Sequence, residues 1–203
     1  MIQVITISRE YGSGGGSIGR ILAERLRWKL IDDPLVNELA HTANVNPELA
    51  AHYDESVDPW FHRLFRAICS GGFEGVATSG VKVPFDADSM ANLWHRAIRE
   101  AAEIGNCVII GRGGQCLLQD RQDTFHVSVY APLHLKREIL RNRVPPGENI
   151  EDAIRQVDGR RAAYIRRYFE EDWTERHLYH IMLCAEIGFE TAADTILCAS
   201  GLK

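Results

Sequence analysis

No stretch of this 203-residue chain approaches the roughly 20 consecutive apolar residues that would span a bilayer, so a membrane partner is not expected. Basic residues are outnumbered: 23 Lys and Arg against 28 Asp and Glu leave a formal charge of −5. A generally basic, nucleic-acid-binding surface is therefore not indicated. Met1-Ile2-Gln3-Val4 has no basic lead before its apolar residues, which argues against a secretory signal and for the cytoplasm. The five cysteines, Cys69, Cys107, Cys116, Cys184 and Cys198, are odd in number and widely spaced. They make neither a disulfide framework nor a C-x-x-C zinc pattern, and buried free thiols are expected. G-x-S-x-G, H-E-x-x-H and paired cysteine–histidine signatures are absent. His177 and His180 lie three apart without further converging ligands, so no metal is expected there.

What is present is an ordinary globular composition, 45% hydrophobic and 25% charged, which supports a sizeable core. Residues 2–7 (I-Q-V-I-T-I) are short, β-branched and apolar, as in a strand buried on both faces. Similar strands are expected at 30–32, 107–110, 124–130 and 179–184. Helical periodicity follows the first strand, with Ile18, Ile21, Leu22 and Leu26 on one side. Further helices are expected after Pro34 and at 47–53, 59–69, 87–104, 132–143, 150–169 and 191–198, with a glycine-containing loop at 70–84. Short apolar strands alternating with helices imply βαβ units and a parallel sheet covered on both faces. A single α/β domain over 1–203 is the expectation, with a strandless helical insertion at about 46–89.

The strongest local signal is the turn Ser8-Arg9-Glu10-Tyr11-Gly12-Ser13-Gly14-Gly15-Gly16-Ser17 between strand and helix. Successive glycines let main-chain N–H groups form a concave nest for phosphate oxygens, and the following helix adds its own unpaired donors. The six amides from Gly12 to Ser17 are the candidate cradle, and the Ser17 hydroxyl is placed to reach a phosphate-bound Mg²⁺. Against the phosphate-loop pattern G-x-x-G-x-G-K-G-[ST], Arg9 takes the first glycine's place and Gly15 the lysine's. The loop lysine is missing, and Arg9 or Arg20 would have to return the positive charge. The competing reading is a flexible turn without a ligand. A dinucleotide fingerprint fits worse, since Gly19 is two places beyond the last glycine of G-x-G-x-x-G.

Arg112, in Val108-Ile109-Ile110-Gly111-Arg112-Gly113-Gly114, directly follows a buried strand. Ligands of doubly wound sheets bind beyond the strand C-termini, where a guanidinium suits phosphate; a structural salt bridge is the alternative. The helix at 150–169 carries Asp158, Arg160, Arg161, Arg166 and Arg167. A solvated face is the plain reading of such a run, and a movable arginine lid over transferring phosphates is the other.

Three stretches carry a family resemblance. Ile5-Thr6-Ile7-Ser8-Arg9-Glu10-Tyr11-Gly12-Ser13-Gly14-Gly15, followed by Ile18-Gly19, resembles the opening of the cytidylate kinase-like family of P-loop proteins. Cys107-Val108-Ile109-Ile110-Gly111-Arg112-Gly113, with Phe125-His126-Val127 and Tyr130-Ala131-Pro132, is similar to its middle. Asp158-Gly159-Arg160-Arg161-Ala162-Ala163-Tyr164, with Trp173 and Tyr179, is similar to its lid and final strand. The resemblance implies a P-loop NTPase-type three-layer fold: a five-stranded parallel sheet, a monophosphate-binding insertion and an arginine-bearing lid at about 144–172. It also implies that Arg112 holds the acceptor's phosphate and that Asp32 and Asp33 lie near the acceptor site. Three departures stand out. Gly113 replaces an aspartate of true cytidylate kinases, Asp33 replaces a serine, and Gly16 stands where the family often has a basic residue.

The leading expectation is a phosphotransferase that moves the γ-phosphoryl of ATP to a small acceptor such as a nucleoside monophosphate. Arg9, Gly12, Ser13, Gly14, Gly15, Gly16 and Ser17 would hold ATP and Mg²⁺; Arg112, Arg161 and Arg166 would serve catalysis. The alternatives are a nucleotide-binding or regulatory module without turnover, and an interaction protein whose glycine loop merely packs. Trp60, Phe61 and Phe65 suit a subunit interface as well as an acceptor pocket, which keeps a homo-oligomer open.

Overall fold

A computed structural model describes residues 1–32, 64 and 87–202. The expected helices after Pro34 and at 47–53 and 59–69, the loop at 70–84, and Asp33, Cys69, Trp60, Phe61 and Phe65 lie outside the described residues. Two compact units are formed, one from residues 1–30 and 106–203 and the other from residues 31–105.

In the first unit β1 (Val4–Arg9) leads through the glycine turn into α1 (Gly15–Leu26) and then β2 (Lys29–Ile31). After residue 105 come β3 (Cys107–Ile110), a four-residue helix α2 (Gly114–Leu117), β4 (Thr124–Tyr130), α3 (Leu133–Leu140), α4 (Ile150–Phe169), β5 (Ile181–Cys184) and α5 (Phe189–Ser200). The five strands lie in the order β2–β3–β1–β4–β5. β1 is central, pairing in parallel with β3 (Val4 with Cys107, Ile7 with Ile110) and with β4 (Val4 with Thr124, Arg9 with Val129); β4 pairs in parallel with β5.

Period-two alternation sorts the two sheet faces. Ile5 and Ile7 of β1, with Phe125, Val127 and Val129 of β4, pack with Ile18 and Leu22 of α1 and Ala192, Ala193 and Ile196 of α5. Gly19 belongs to this packing. A β-carbon there would stand 2.8 Å from Ile110 Cδ1 and 3.1 Å from Ile7 Cδ1, so its lack of a side chain seats α1 on the sheet. The other face carries polar residues in the core: Thr6 and His126 oppose each other across β1 and β4, with Thr6 Oγ1 and His126 Nδ1 2.7 Å apart. α4 starts on a proper cap, Asn149 accepting from the N–H groups of Glu151 and Asp152.

In the second unit, the helix Ala87–Ile104 buries Ala91, Trp94, Ile98, Ala101 and Ala102, a stripe at helical spacing. Among the described residues no helix is long and apolar enough to cross a membrane.

Most expected elements appear where periodicity put them, and several boundaries do not. β1 runs two residues further than the apolar run, to Arg9, because its ladder with β4 continues there. Arg9 is thus a strand residue, not a turn residue. β5 begins at Ile181, since residues 176–178 form a single 3-10 turn and the Tyr179 hydroxyl is held by the carbonyl of Trp173 at 2.6 Å. α2 has no counterpart in the expected elements. Cys107 and Cys116 are buried free thiols, Cys184 is half-buried, and Cys198 is exposed, against the expectation; it falls on the outward side of α5.

Burial, helped by the neighbouring His180 ring, lowers the His126 imidazole to about 4 from an ordinary 6.5. The unfolded chain therefore takes up this proton first as pH falls, and stability drops between those values. The difference is worth about 3 kcal/mol. Replacing His126→Gln should remove most of this acid-side loss, read as a smaller difference between urea melts at about pH 7 and about pH 4 than the parent shows.

Candidate functional site

The glycine turn is held from below before anything can bind above it. The Glu10 carboxylate receives Lys136 Nζ of α3 at 2.7 Å and the Ala131 N–H at 3.1 Å, tying the turn to the end of β4. Gly12 and Gly14 both adopt φ +79°, a conformation that disfavours side chains, and Gly14 is the residue preceding α1. The helix has no side-chain cap.

Of the six candidate amides, two are committed: Ser13 N–H donates to the Glu10 carbonyl and Ser17 N–H to the Gly14 carbonyl. The amides of Gly12, Gly14, Gly15 and Gly16 have no acceptor among the described residues. The cradle therefore has four donors rather than six. Ser13 is fully buried and its hydroxyl is also without a partner. An orphaned buried polar group costs about 1–3 kcal/mol, which a ligand oxygen or a water would return.

Gly12, Gly14, Gly15, Gly16 and Ser17 line a cavity of about 230 Å³ that also receives Arg9, Glu10, Tyr11, Arg20, Arg143 and Arg161. Four guanidinium side chains against one carboxylate make it cationic. α4 reaches in through two residues one helical turn apart. The Asp158 carboxylate accepts the Tyr11 N–H at 2.7 Å, and Arg161 Nη1 donates to the Arg9 carbonyl at 2.9 Å and lies 3.2 Å from Asp158. The Arg161 guanidinium also stands 5.9 Å from the Tyr11 ring centroid. Burial raises the Asp158 carboxyl above its ordinary range, against the Tyr11 N–H and the Arg161 charge, which pull it down. A half-buried carboxylate thus already occupies one loop amide.

The structure brings Arg9, Gly12, Gly14, Gly15, Gly16, Ser17 and Arg161 to this one cavity, with Ser13 buried beneath it. Arg112 and Arg166 are not among the lining residues. Arg112 sits at φ +53° between two left-handed glycines, in a tight turn closed by the Gly114 N–H on the Gly111 carbonyl. Arg166 is exposed, and its charge acts on Asp172. Asp32 belongs to the second unit. Gly113 has a local reason to be glycine: a β-carbon there would lie 2.2 Å from Phe169 Cε2, so the ring at the end of α4 takes the room that an aspartate would need. Lys136 and Arg143 were not legible as site residues in the sequence, because nothing in a helix pattern says which face meets the loop.

The family model of the cytidylate kinase-like family matches residues 4–187, glycine turn and α4 included. The chain belongs to the cytidylate kinase-like family. Solved structures similar to this family member include an uncharacterized protein from Eubacterium ventriosum ATCC 27560, 20% identical with a TM-score of 0.70 and 100% of both chains covered. A shikimate kinase from Bacteroides thetaiotaomicron is 14% identical, TM-score 0.56, again over 100% of both chains. A sugar kinase from Janibacter sp. HTCC2649 is 12% identical, TM-score 0.51, with 100% of this chain and 96% of that one covered. At such identities the likeness is one of fold, the P-loop kinase fold. Comparison with curated proteins produced no match.

Asp158 offers a direct check on the loop contact. An acid whose folded-state pKa is raised holds its proton longer folded than unfolded, so its contribution to stability falls as pH rises through that interval. Asp158→Asn keeps an oxygen for the Tyr11 N–H and removes the titration. Relative to that variant, the parent should lose thermal stability as pH rises above the ordinary carboxylate range, measured as the difference in Tm.

Proposed function

We propose that this cytidylate kinase-like protein is an ATP-dependent phosphotransferase acting on a small phosphorylated acceptor, with a nucleoside monophosphate as the first candidate. The observation that carries the reading is the set of four uncommitted amides of glycines that line a cationic cavity at the start of α1, with one orphaned hydroxyl buried beneath it. Such a set matches phosphate oxygens, and no described residue supplies acceptors for it. The family and the kinase fold support the same chemistry.

The residues present fit a nucleotide's phosphates better than they fit a bare metal. No group of three or more metal-ligating side chains occurs among the described residues. Mg²⁺ would be held by the Ser17 hydroxyl together with phosphate oxygens and water, its usual arrangement. When bound it neutralises charge on the phosphates being transferred. The chain's own part is positioning and charge: the loop amides orient the donor, Arg161 closes over it from α4, and Arg166 joins when the segment 144–172 acts as a lid. Arg112 orients the acceptor through its phosphate. Since the transition state is loose and highly charged, most of the catalysis would come from these placements.

A second reading, nucleotide binding without turnover, draws on Gly15 in the lysine position and on Asp158 at the Tyr11 amide. One experiment separates the two. Purified protein with Mg²⁺ and ATP is offered a panel of nucleoside monophosphates and ADP formation is followed; turnover with one acceptor is expected, and binding of ATP without turnover on any acceptor would establish the second reading. With the acceptor known, Arg112→Asn should lower kcat/KM for it by about 10²-fold, the scale of one charge-assisted contact. Asparagine is chosen because it tolerates the positive φ at this position.

A further inference from the structure

The lysine that phosphate loops carry has no room in this chain, and the obstacle is itself a cation. At Gly15, a β-carbon would stand 2.6 Å from Arg9 Cβ and 3.2 Å from Arg9 Cγ. At Gly111, a β-carbon would fall 1.7 Å from Arg9 Nη1 and 2.9 Å from its Cζ. The Arg9 side chain therefore starts against the first turn of α1 and ends over the turn that follows β3. Both glycines leave it the space. Its backbone is fixed by the β1–β4 ladder, where Arg9 pairs with Val129, and by Arg161, which donates to its carbonyl. Arg9 lines the same cavity as Gly12, Gly14, Gly15, Gly16 and Ser17.

We propose that Arg9 is the loop's phosphate-directed cation, delivered from the end of β1 in place of a lysine at position 15, and that Arg9 and a side chain at position 15 are mutually exclusive. The missing lysine is then a relocation of charge. The phosphates would meet a planar guanidinium with several donors in a fixed fork, approaching from the sheet side of the loop, where a lysine would bring a single ammonium from the helix. The inference rests on the phosphate-binding reading above and adds to it the residue that carries the charge and the reason that Gly15 cannot.

The relation between the two positions makes the test specific. Binding of ATP and of inorganic tripolyphosphate to the full chain is measured by calorimetry, with circular dichroism to check folding. Arg9→Gln, which keeps most of the stem and removes the charge, should weaken both probes by about 10–100-fold, as expected for a lost charge-assisted contact. Gly15→Lys in the parent should destabilise the protein and fail to improve binding, because the new side chain meets Arg9. Arg9→Gly combined with Gly15→Lys writes the full G-x-x-G-x-G-K-G-S pattern, and it should bind both probes at least about 10-fold more tightly than Arg9→Gly alone. That non-additivity reads the mutual exclusion of the two side chains, while the loss of affinity in a folded Arg9→Gln variant reads the charge. Unchanged affinity in Arg9→Gln, or a double variant no better than Arg9→Gly, overturns the assignment while leaving the phosphate site standing. A parent protein that binds neither ATP nor tripolyphosphate overturns the phosphate reading and this inference together.

Discussion

Everything in the candidate site depends on one constraint: a strand must pass into a helix so tightly that its main-chain donors are left without acceptors. Gly12 and Gly14 take up left-handed conformations, and α1 begins with no side-chain cap, so the amides of Gly12, Gly14, Gly15 and Gly16 make no bond to a described residue. Proteins rarely leave such groups unsatisfied in half-buried positions unless water or a ligand completes them. The buried Ser13 hydroxyl, also without a partner, adds to the deficit at the same place. A local cost of this kind marks the turn as the candidate binding site.

The rest of the first unit holds that turn still. β1 is central, so its position is set by ladders on both sides, and its last residue is Arg9. Glu10 is clamped by Lys136 and the Ala131 N–H, and Tyr11 by Asp158. Gly19 lets α1 lie close upon Ile7 and Ile110. Three consecutive residues, Arg9 at the end of β1 and Glu10 and Tyr11 in the turn, are thus each tied to another part of the unit through the backbone or a charge. Such preorganisation matters in a phosphate site, since donors already aimed at the anion need no reorganisation when it arrives.

The charge around the loop is arranged in two tiers. Lys136 and Glu10 neutralise each other beneath the turn, and Arg161 with Asp158 does so beside it. Arg9, Arg20 and Arg143 line the cavity. These pairs serve position, and the excess of arginine over carboxylate among the lining residues, Arg161 included, gives the cavity its sign. Membership of the cytidylate kinase-like family makes this arrangement intelligible, for phosphoryl transfer asks a protein mainly for placement and neutralisation.

Much of this was legible in the order of residues alone. The helices Ala87–Ile104 and Ile150–Phe169 and the strands Cys107–Ile110 and Thr124–Tyr130 fall where periodicity places them, because burial of one stripe or of a short apolar run is a local pattern. The glycine turn was legible for the same reason, as backbone conformation near glycine is a property of the nearest neighbours. α2 was not, since four residues hold no period, and neither was the extension of β1 to Arg9, which depends on a ladder with β4 more than a hundred residues away. The partners of the loop, Lys136, Asp158 and Arg161, are contributed by helices whose facing only packing selects, and the room that Arg9 occupies between Gly15 and Gly111 exists only once β1, α1 and β3 have come together. Local chemistry determined that a cradle of amides would form; the folded arrangement decided which cation could stand beside it, because space, unlike propensity, is set by chain segments far apart in sequence.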